Sequence, residues 1–388
     1  MVTLSWNQQI GKKFNKQQIL NYIFSKRIVS RGEIIEEIGL KKATVANLVT
    51  ELIEDRLIVE DGKDFSTGGR RSRLLRFNET AGFALGIDIG VNYLYGAVFN
   101  LKGEIVFDNL QLVPTIQLDA YLKSILDLIK LLMENVPPSP FSIVGLGVAV
   151  PGSVNKDGVI IIAPNLRWEN FDISSYLRDH FDFPIYISNE ANAGAYAEYI
   201  FENNKETSNL LYLSIGIGLG VGIIIDHNIY LGVNGYSGES GHAIIHMNGR
   251  KCTCGRNGCW EAYASEYALI HDATYMLKER ELTLEQIITL AEEGNEDVIQ
   301  LFKETGYYIG LGITNLIQTF NPEKIIIGNR IIKAQKFIEQ SILDTIHSNT
   351  MHFQRDNYSV QFSKLKDRAI ALGAASFIID QFIQLPFD

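Results

Sequence analysis

Three cysteines, Cys252, Cys254 and Cys259, fall within eight positions of the chain, and there is no fourth. An odd, crowded set is a poor disulfide framework and a good metal-binding one. His242 precedes it at the end of Gly238-Glu239-Ser240-Gly241-His242. One imidazole and three thiolates make the tetrahedral nitrogen–sulfur set that structural zinc prefers, with no position left open for water. The pattern predicts one structural zinc on His242, Cys252, Cys254 and Cys259.

A different chemistry is written near the other end. Thr67-Gly68-Gly69-Arg70-Arg71-Ser72-Arg73 places arginines directly after two glycines. Glycine lets a backbone lie close to a surface, and arginines beside it fit a narrow minor groove. The charge distribution agrees: residues 1–77 carry 14 Lys/Arg against 9 Asp/Glu, a net of +5, while the whole chain stands at −10, leaving −15 for the rest. A basic head on an acidic body predicts that only the head meets a polyanion.

The elements that must position these groups are legible in outline. Residues 14–58 read as three short helices. Ile19, Leu20, Ile23 and Phe24 form the stripe of the first. Ser30-Arg31-Gly32-Glu33 opens the second as a capping box, Ile34, Ile35 and Ile38 give it a buried face, and Gly39 stops it. The third buries Val45, Leu48, Val49, Leu52 and Ile53 and turns Lys42, Thr44, Asn47 and Glu51 outward. Joined by Gly39-Leu40-Lys41, the second and third make a helix-turn-helix, with Lys42, Thr44 and Asn47 set for DNA. Residues 57–61 and 72–77 alternate like two wing strands around a turn at Asp61-Gly62.

With 388 residues and a 46% hydrophobic share, the chain supports two or three cored domains. It lacks a stretch near the ~20 apolar residues of a membrane span and a signal-peptide core at its start, so a cytoplasmic protein is expected. From Phe83 the texture becomes α/β. Phe83–Ile89 and Tyr93–Phe99 read as strands around Asp88-Ile89-Gly90, with a turn at Leu101-Lys102-Gly103. Leu210–Ile215 and Val221–Ile225 repeat the unit around Gly216-Ile217-Gly218-Leu219-Gly220. Two such hairpins suggest a duplicated fold with a cleft between its lobes. Gly306–Phe320 reads as a helix, Lys324–Ile327 as a strand, and Ala369–Phe382 as an apolar helix returning to the first lobe.

Taken with Cys252-Thr253-Cys254-Gly255-Arg256-Asn257-Gly258-Cys259-Trp260-Glu261, the Gly238–His242 motif resembles the ROK family of repressors and sugar kinases. The segment Ile187-Ser188-Asn189-Glu190-Ala191-Asn192-Ala193-Gly194-Ala195-Tyr196 resembles the family's repressor branch. The resemblance implies an actin-like, ribonuclease H-like two-lobed α/β body behind an all-α winged helix-turn-helix. The expected domains are 1–78 for the head, 79–195 with 369–388 for the first lobe, and 196–368 for the second. It places Glu239, His242 and Glu261 on a sugar's hydroxyls, with Asn189 and Glu190 on its other edge and Gly152 and Asn165 nearby. Carboxylates and amides suit that work, because each bridges neighbouring hydroxyls and is left unpaired when one is missing.

Family kinases follow the first Asp with Gly-Gly-Thr, put a Thr after the first glycine of the second loop, and use an Asp as base. Here Asp88-Ile89-Gly90 runs into Val91-Asn92-Tyr93, losing one glycine and the hydroxyl, and Ile217 and Glu190 stand at the other two places. Losing phosphate donors from a site that needs several predicts a sensor rather than an enzyme. A Glu, one methylene longer than the Asp that faces a hexose C6 hydroxyl, fills space left by a sugar lacking C6. The expected effector is xylose, with glucose the alternative. The expected protein is a homodimeric repressor that leaves a palindromic operator when sugar binds.

Overall fold

The computed structural model describes residues 2–63, 73–113, 115–202, 206–279 and 282–384. Its head contains α1 (Val2–Lys26), β1 (Ile28–Ser30), α2 (Arg31–Ile38), α3 (Lys42–Glu54), β2 (Ile58–Lys63) and β3 (Arg73–Phe77). The capping box is present: Ser30 Oγ accepts from the Glu33 N–H, and the Glu33 carboxylate accepts from the Ser30 N–H. Gly39, at φ 73°, ends α2 in the left-handed conformation. The three strands form one sheet in the order β1-β3-β2.

Three expectations about the head change. α1 begins at Val2, well before residue 14, and its lysines reach α3: Lys12 and Lys16 pair with Glu51. Glu51 therefore faces α1, not the outer surface. Asp61-Gly62 is not the wing turn, because β2 runs through both to Lys63, with a register shift between Asp61 and Lys63. The irregularity absorbs the glycine inside the strand. The loop itself, with Arg70 and Arg71, lies outside the described residues.

The body follows in two similar halves. β4 (Phe83–Ile89), β5 (Tyr93–Asn100), β6 (Ile105–Leu112), α4 (Leu118–Glu134) and β7 (Ile143–Val150) open the first. A small antiparallel sheet of β8 (Ser153–Val154), β9 (Ile160–Ala163) and β10 (Trp168–Phe171), then α5 (Ile173–Arg178), lead to β11 (Ile185–Asn189). After α6 (Glu190–Ala197) come β12 (Leu210–Ile215), β13 (Leu219–Ile225) and β14 (Asn228–Ile229). α7 (Glu261–Ala264), α8 (Glu266–Leu277), α9 (Leu284–Glu292), α10 (Glu296–Phe320), β15 (Lys324–Gly328), α11 (Gln335–Asn349) and β16 (Ser359–Phe362) complete the second half.

The sheets run β6-β5-β4-β7-β11 and β14-β13-β12-β15-β16. In each, the first three strands in sequence are antiparallel and the last two add in parallel to the first. This is the duplication that the two glycine hairpins suggested. α10 begins earlier than Gly306, because Asn295 caps it and Glu296 and Asp297 suit its N-terminus. α12 (Ala369–Gln384) does return to the first half, packing on β4, β7 and α6. Among the described residues, no helix is long and apolar enough to cross a membrane.

Candidate functional site

The cavity between the two halves holds about 160 Å³. Gly152, Asn165, Asn189, Glu190, Glu239, His242 and Glu261 all line it. Several local devices deliver them. Gly238 and Gly241 let a tight turn, Glu239–His242, lie on β13: a Cβ at these positions would stand 1.9 Å from the Val221 carbonyl oxygen and 2.0 Å from that of Leu219. That close approach pushes Glu239 and His242 into the cavity. Glu239 Oε1 accepts from Ser153 Oγ at 2.7 Å, so the two halves already touch here.

Glu261 begins α7, anchored by the preceding Trp260, whose buried indole donates from Nε1 to the Tyr308 carbonyl at 2.7 Å. The Glu261 carboxylate accepts from the Leu219 N–H at 3.0 Å and from Thr253 Oγ1 at 3.1 Å. Asn189 caps α6, its Oδ1 accepting from the N–H groups of Ala191 and Asn192. Its Nδ2 donates to the Gly152 carbonyl at 2.8 Å, leaving one amide hydrogen for a ligand.

His242, Cys252, Cys254 and Cys259 meet beside this cavity, their ligand atoms all within 4.8 Å of one another. Cys252 Sγ lies 3.6 Å from His242 Nδ1, and the sulfurs of Cys254 and Cys259 lie 3.7 Å apart. The sulfur gap is far too wide for a disulfide of about 2.0 Å. These four residues can hold a metal ion. Because His242 turns Nδ1 to the thiols while lining the cavity, its ring joins the two sites.

The other wall carries the two hairpin turns: Gly90, Val91 and Tyr93 from one half, and Gly216, Ile217 and Gly218 from the other. Tyr93 folds back over its own turn. Its ring would lie 2.2 Å from a Cβ on Gly90, and its hydroxyl donates to Asp88 Oδ2 at 2.8 Å. Burial pushes the Asp88 carboxyl up to about 7, the Tyr93 bond opposing it and nearby Asp367 adding to it. Burial likewise pushes Glu190 up to about 8, with Asp88 adding, Ser214 opposing through its hydrogen bond, and Glu261 adding.

Sequence reasoning missed Ser153, Thr253, Ser214, Asn329 and Arg330, which line the cavity or bond to those that do. Ser153 and Thr253 adjoin named positions, and that adjacency was the available signal. In the head, Lys42 and Asn47 are exposed at the start of α3, whereas Thr44 is half-buried. Ala43, Ala46, Thr50 and Glu54 are the other exposed residues of α3.

The comparisons with known proteins agree with this architecture. The family model described as "ROK family" matches residues 84–381. The chain is 37% identical to the xylose repressor of Bacillus subtilis (strain 168), covering 98% of each. It is 27% identical to the N-acetylglucosamine repressor of Shigella flexneri, over 96% of this chain and 94% of that one. A crystal structure of a ROK family transcriptional regulator, a homolog of the E. coli MLC protein, superposes with a TM-score of 0.79 at 26% identity, covering 96% of both chains. A ROK family glucokinase from Streptomyces griseus shares the fold at a TM-score of 0.71 and 24% identity. That enzyme is covered to 99% but matches only 76% of this chain, so about a quarter of the chain has no counterpart in it. By its duplicated sheets, its Gly238–Glu261 motif region and these matches, the chain belongs to the ROK family.

Proposed function

We propose that this chain is a sugar-responsive transcriptional repressor whose effector is xylose, and that it does not phosphorylate the sugar. The observation that carries the sensor reading is Tyr93. A phenol packed on Gly90 and bonded to Asp88 fills the hairpin turn where a family kinase needs open backbone and a hydroxyl. Ile217 offers no side-chain donor in the second turn. The raised carboxyl of Glu190 would suit a general base and is what favours a kinase, but a base that takes the sugar's proton does not by itself hold a phosphoryl group in place for attack.

On the sugar side, Glu239, Glu261, Glu190 and His242 accept from or donate to hydroxyls, with Asn165, Asn189 and Gly152 shaping the edge. Zinc on His242, Cys252, Cys254 and Cys259 fixes the loop that carries Glu239 and Glu261. Zinc–sulfur bonds of about 2.3 Å require tetrahedral edges of about 3.8 Å, close to the 3.7 Å between Cys254 and Cys259. Such a closed site supplies rigidity, not catalysis.

DNA falls to the head, where Asn47 reads a base edge, Lys42 and Thr44 hold phosphate and Arg70 and Arg71 enter the minor groove. A homodimer presents two heads to a palindromic operator. Coupling has a physical route. α12 packs on α6, whose first residue is Glu190, and its far end meets α1, where Gln17 Nε2 donates to the Gln384 carbonyl. Sugar that closes the lobes on α6 thereby shifts the heads, typically with ~1–3 kcal/mol of coupling per site.

The test is calorimetric titration of the full chain with a panel of pentoses and hexoses. Xylose should give the tightest binding with one site per chain, and glucose a weaker response. Heat from none of the panel would remove the sugar-sensor reading.

A further inference from the structure

Asn329 follows β15 with φ 64° and ψ −159°, a region that glycine adopts readily and residues with a Cβ rarely do. Its side chain explains what holds it there. Oδ1 accepts from the Arg330 N–H at 2.8 Å, and Nδ2 donates to Ser214 Oγ at 2.9 Å. Ser214, fully buried on β12, donates in turn to Glu190 Oε1 at 3.1 Å.

The chain of bonds runs in one direction only. A backbone N–H can only donate, so the amide atom facing Arg330 must be the oxygen, and the NH₂ must face Ser214. The Ser214 oxygen then accepts from Asn329, and its single proton is left for Glu190. One carboxyl oxygen of Glu190 is thereby assigned to the protein, and the other is left for whatever occupies the cavity.

We propose that Asn329 is a positioning residue of the sugar site: by fixing the direction of the Ser214 hydroxyl, it sets which side of Glu190 reads a sugar hydroxyl. The inference rests on the reading of the cavity as a sugar site, and it adds a residue from the second half to the recognition of a ligand edge carried by the first. A strained residue at this place fits a role in orienting a site, since a glycine would serve the backbone alone.

Glu190 faces Asp88 from β4, Tyr93 from β5, Tyr212 from β12 and Glu261 from α7, besides Ser214. Only the Ser214 bond lowers its pKa among the contributions to that group. Loss of the oriented hydroxyl should therefore move the titration of Glu190 further up.

The test uses the full-length chain, D-xylose and calorimetry between pH 6 and 9. Asn329→Gly should remain folded and bind operator DNA as wild type does, because glycine tolerates this backbone. Its xylose affinity should fall about three- to tenfold, the loss expected for one misdirected hydrogen bond. The pH at which affinity changes should rise above the wild-type value. Ser214→Ala should show the same loss and the same shift, which keeps the test alive should the glycine variant fail to fold. In the double variant the losses should not add, because both break one chain of bonds. Additive losses, or wild-type affinity with an unmoved pH profile in either single variant, would overturn the relay. A wild-type protein that binds no xylose or glucose at all would instead overturn the sugar reading on which it rests.

Discussion

The two walls of the central cavity start from the same hairpin-and-sheet scaffold and have been filled in opposite ways. On one wall Ser153, Glu239, His242, Thr253 and Glu261 present polar atoms, braced by a donor set able to hold a metal. On the other, the Tyr93 ring packs on Gly90 and the apolar side chains of Val91 and Ile217 stand in the two turns, so the polar groups there are backbone ones. On the proposed reading, the difference teaches that recognition of a sugar and its phosphorylation are separable in this fold. On that reading, hydroxyls are read by the polar wall and phosphate handling belongs to two turns, the second of which still holds the Glu261 carboxylate through the Leu219 N–H.

The largest effect is expected from the metal loop. Cys254→Ala should abolish metal binding and, with it, sugar binding, because Glu239 and Glu261 flank the same loop. Metal analysis by mass spectrometry checks the first half and calorimetry the second. A variant that keeps a full metal complement would remove Cys254 from the donor set.

Next in size is Glu261→Ala. It removes a carboxylate that accepts from Leu219 N–H and Thr253 as well as facing the cavity. A lost charged acceptor costs roughly 1.5–3 kcal/mol, so the sugar response should shift by one to two orders of magnitude while operator binding persists. Unchanged induction would exclude Glu261 from the sugar-reading wall.

The closed wall is tested by turnover. With ATP and xylose or glucose, ADP release should stay at background. Rates in the range of ~1–10³ per second common to enzymes would show that Tyr93 does not close the site.

A separate effect is on pH-dependent stability. The Asp88 and Glu190 carboxyls are raised to about 7 and about 8, against about 3.9 and 4.3 in an unfolded chain. Below those unfolded values both states are protonated and nothing is lost. As pH rises further the unfolded chain releases protons that the folded one keeps, so their contribution declines up to about pH 8 and then levels off. Glu190→Gln should therefore flatten the fall in melting temperature between pH 5 and 8. An equally steep fall in that variant would mean that Glu190 is ionised in the folded state.

What was legible in sequence was local. The capping box at Ser30, the strand Phe83–Ile89 and the His242–Cys259 set all lie within short stretches whose spacing carries the physics. What escaped was contact between distant segments. The Asn329–Ser214 bond spans 115 positions and the Ser214–Glu190 bond 24, and no period or motif links them. In sequence Tyr93 is only the end of a run that departs from the kinase pattern, because the sequence does not say that its ring folds back onto Gly90. Thr44 and Glu51 share a polar helix face, yet α1 covers Glu51 with Lys12 and Lys16. Likewise Gly62 reads as a turn residue until the partner strand is known to pair past it.

The most direct measurement of the central claim is operator binding by the full chain with and without D-xylose. The operator is first selected from random DNA by the protein itself, and binding is then followed by fluorescence anisotropy. The account predicts that millimolar xylose releases the wild-type protein, that Glu261→Ala stays bound at the same concentration, and that Asn47→Ala binds the operator ~1–3 kcal/mol more weakly but random DNA almost equally. A wild-type complex that no pentose or hexose dissociates, in a protein that does bind the sugar, would contradict it.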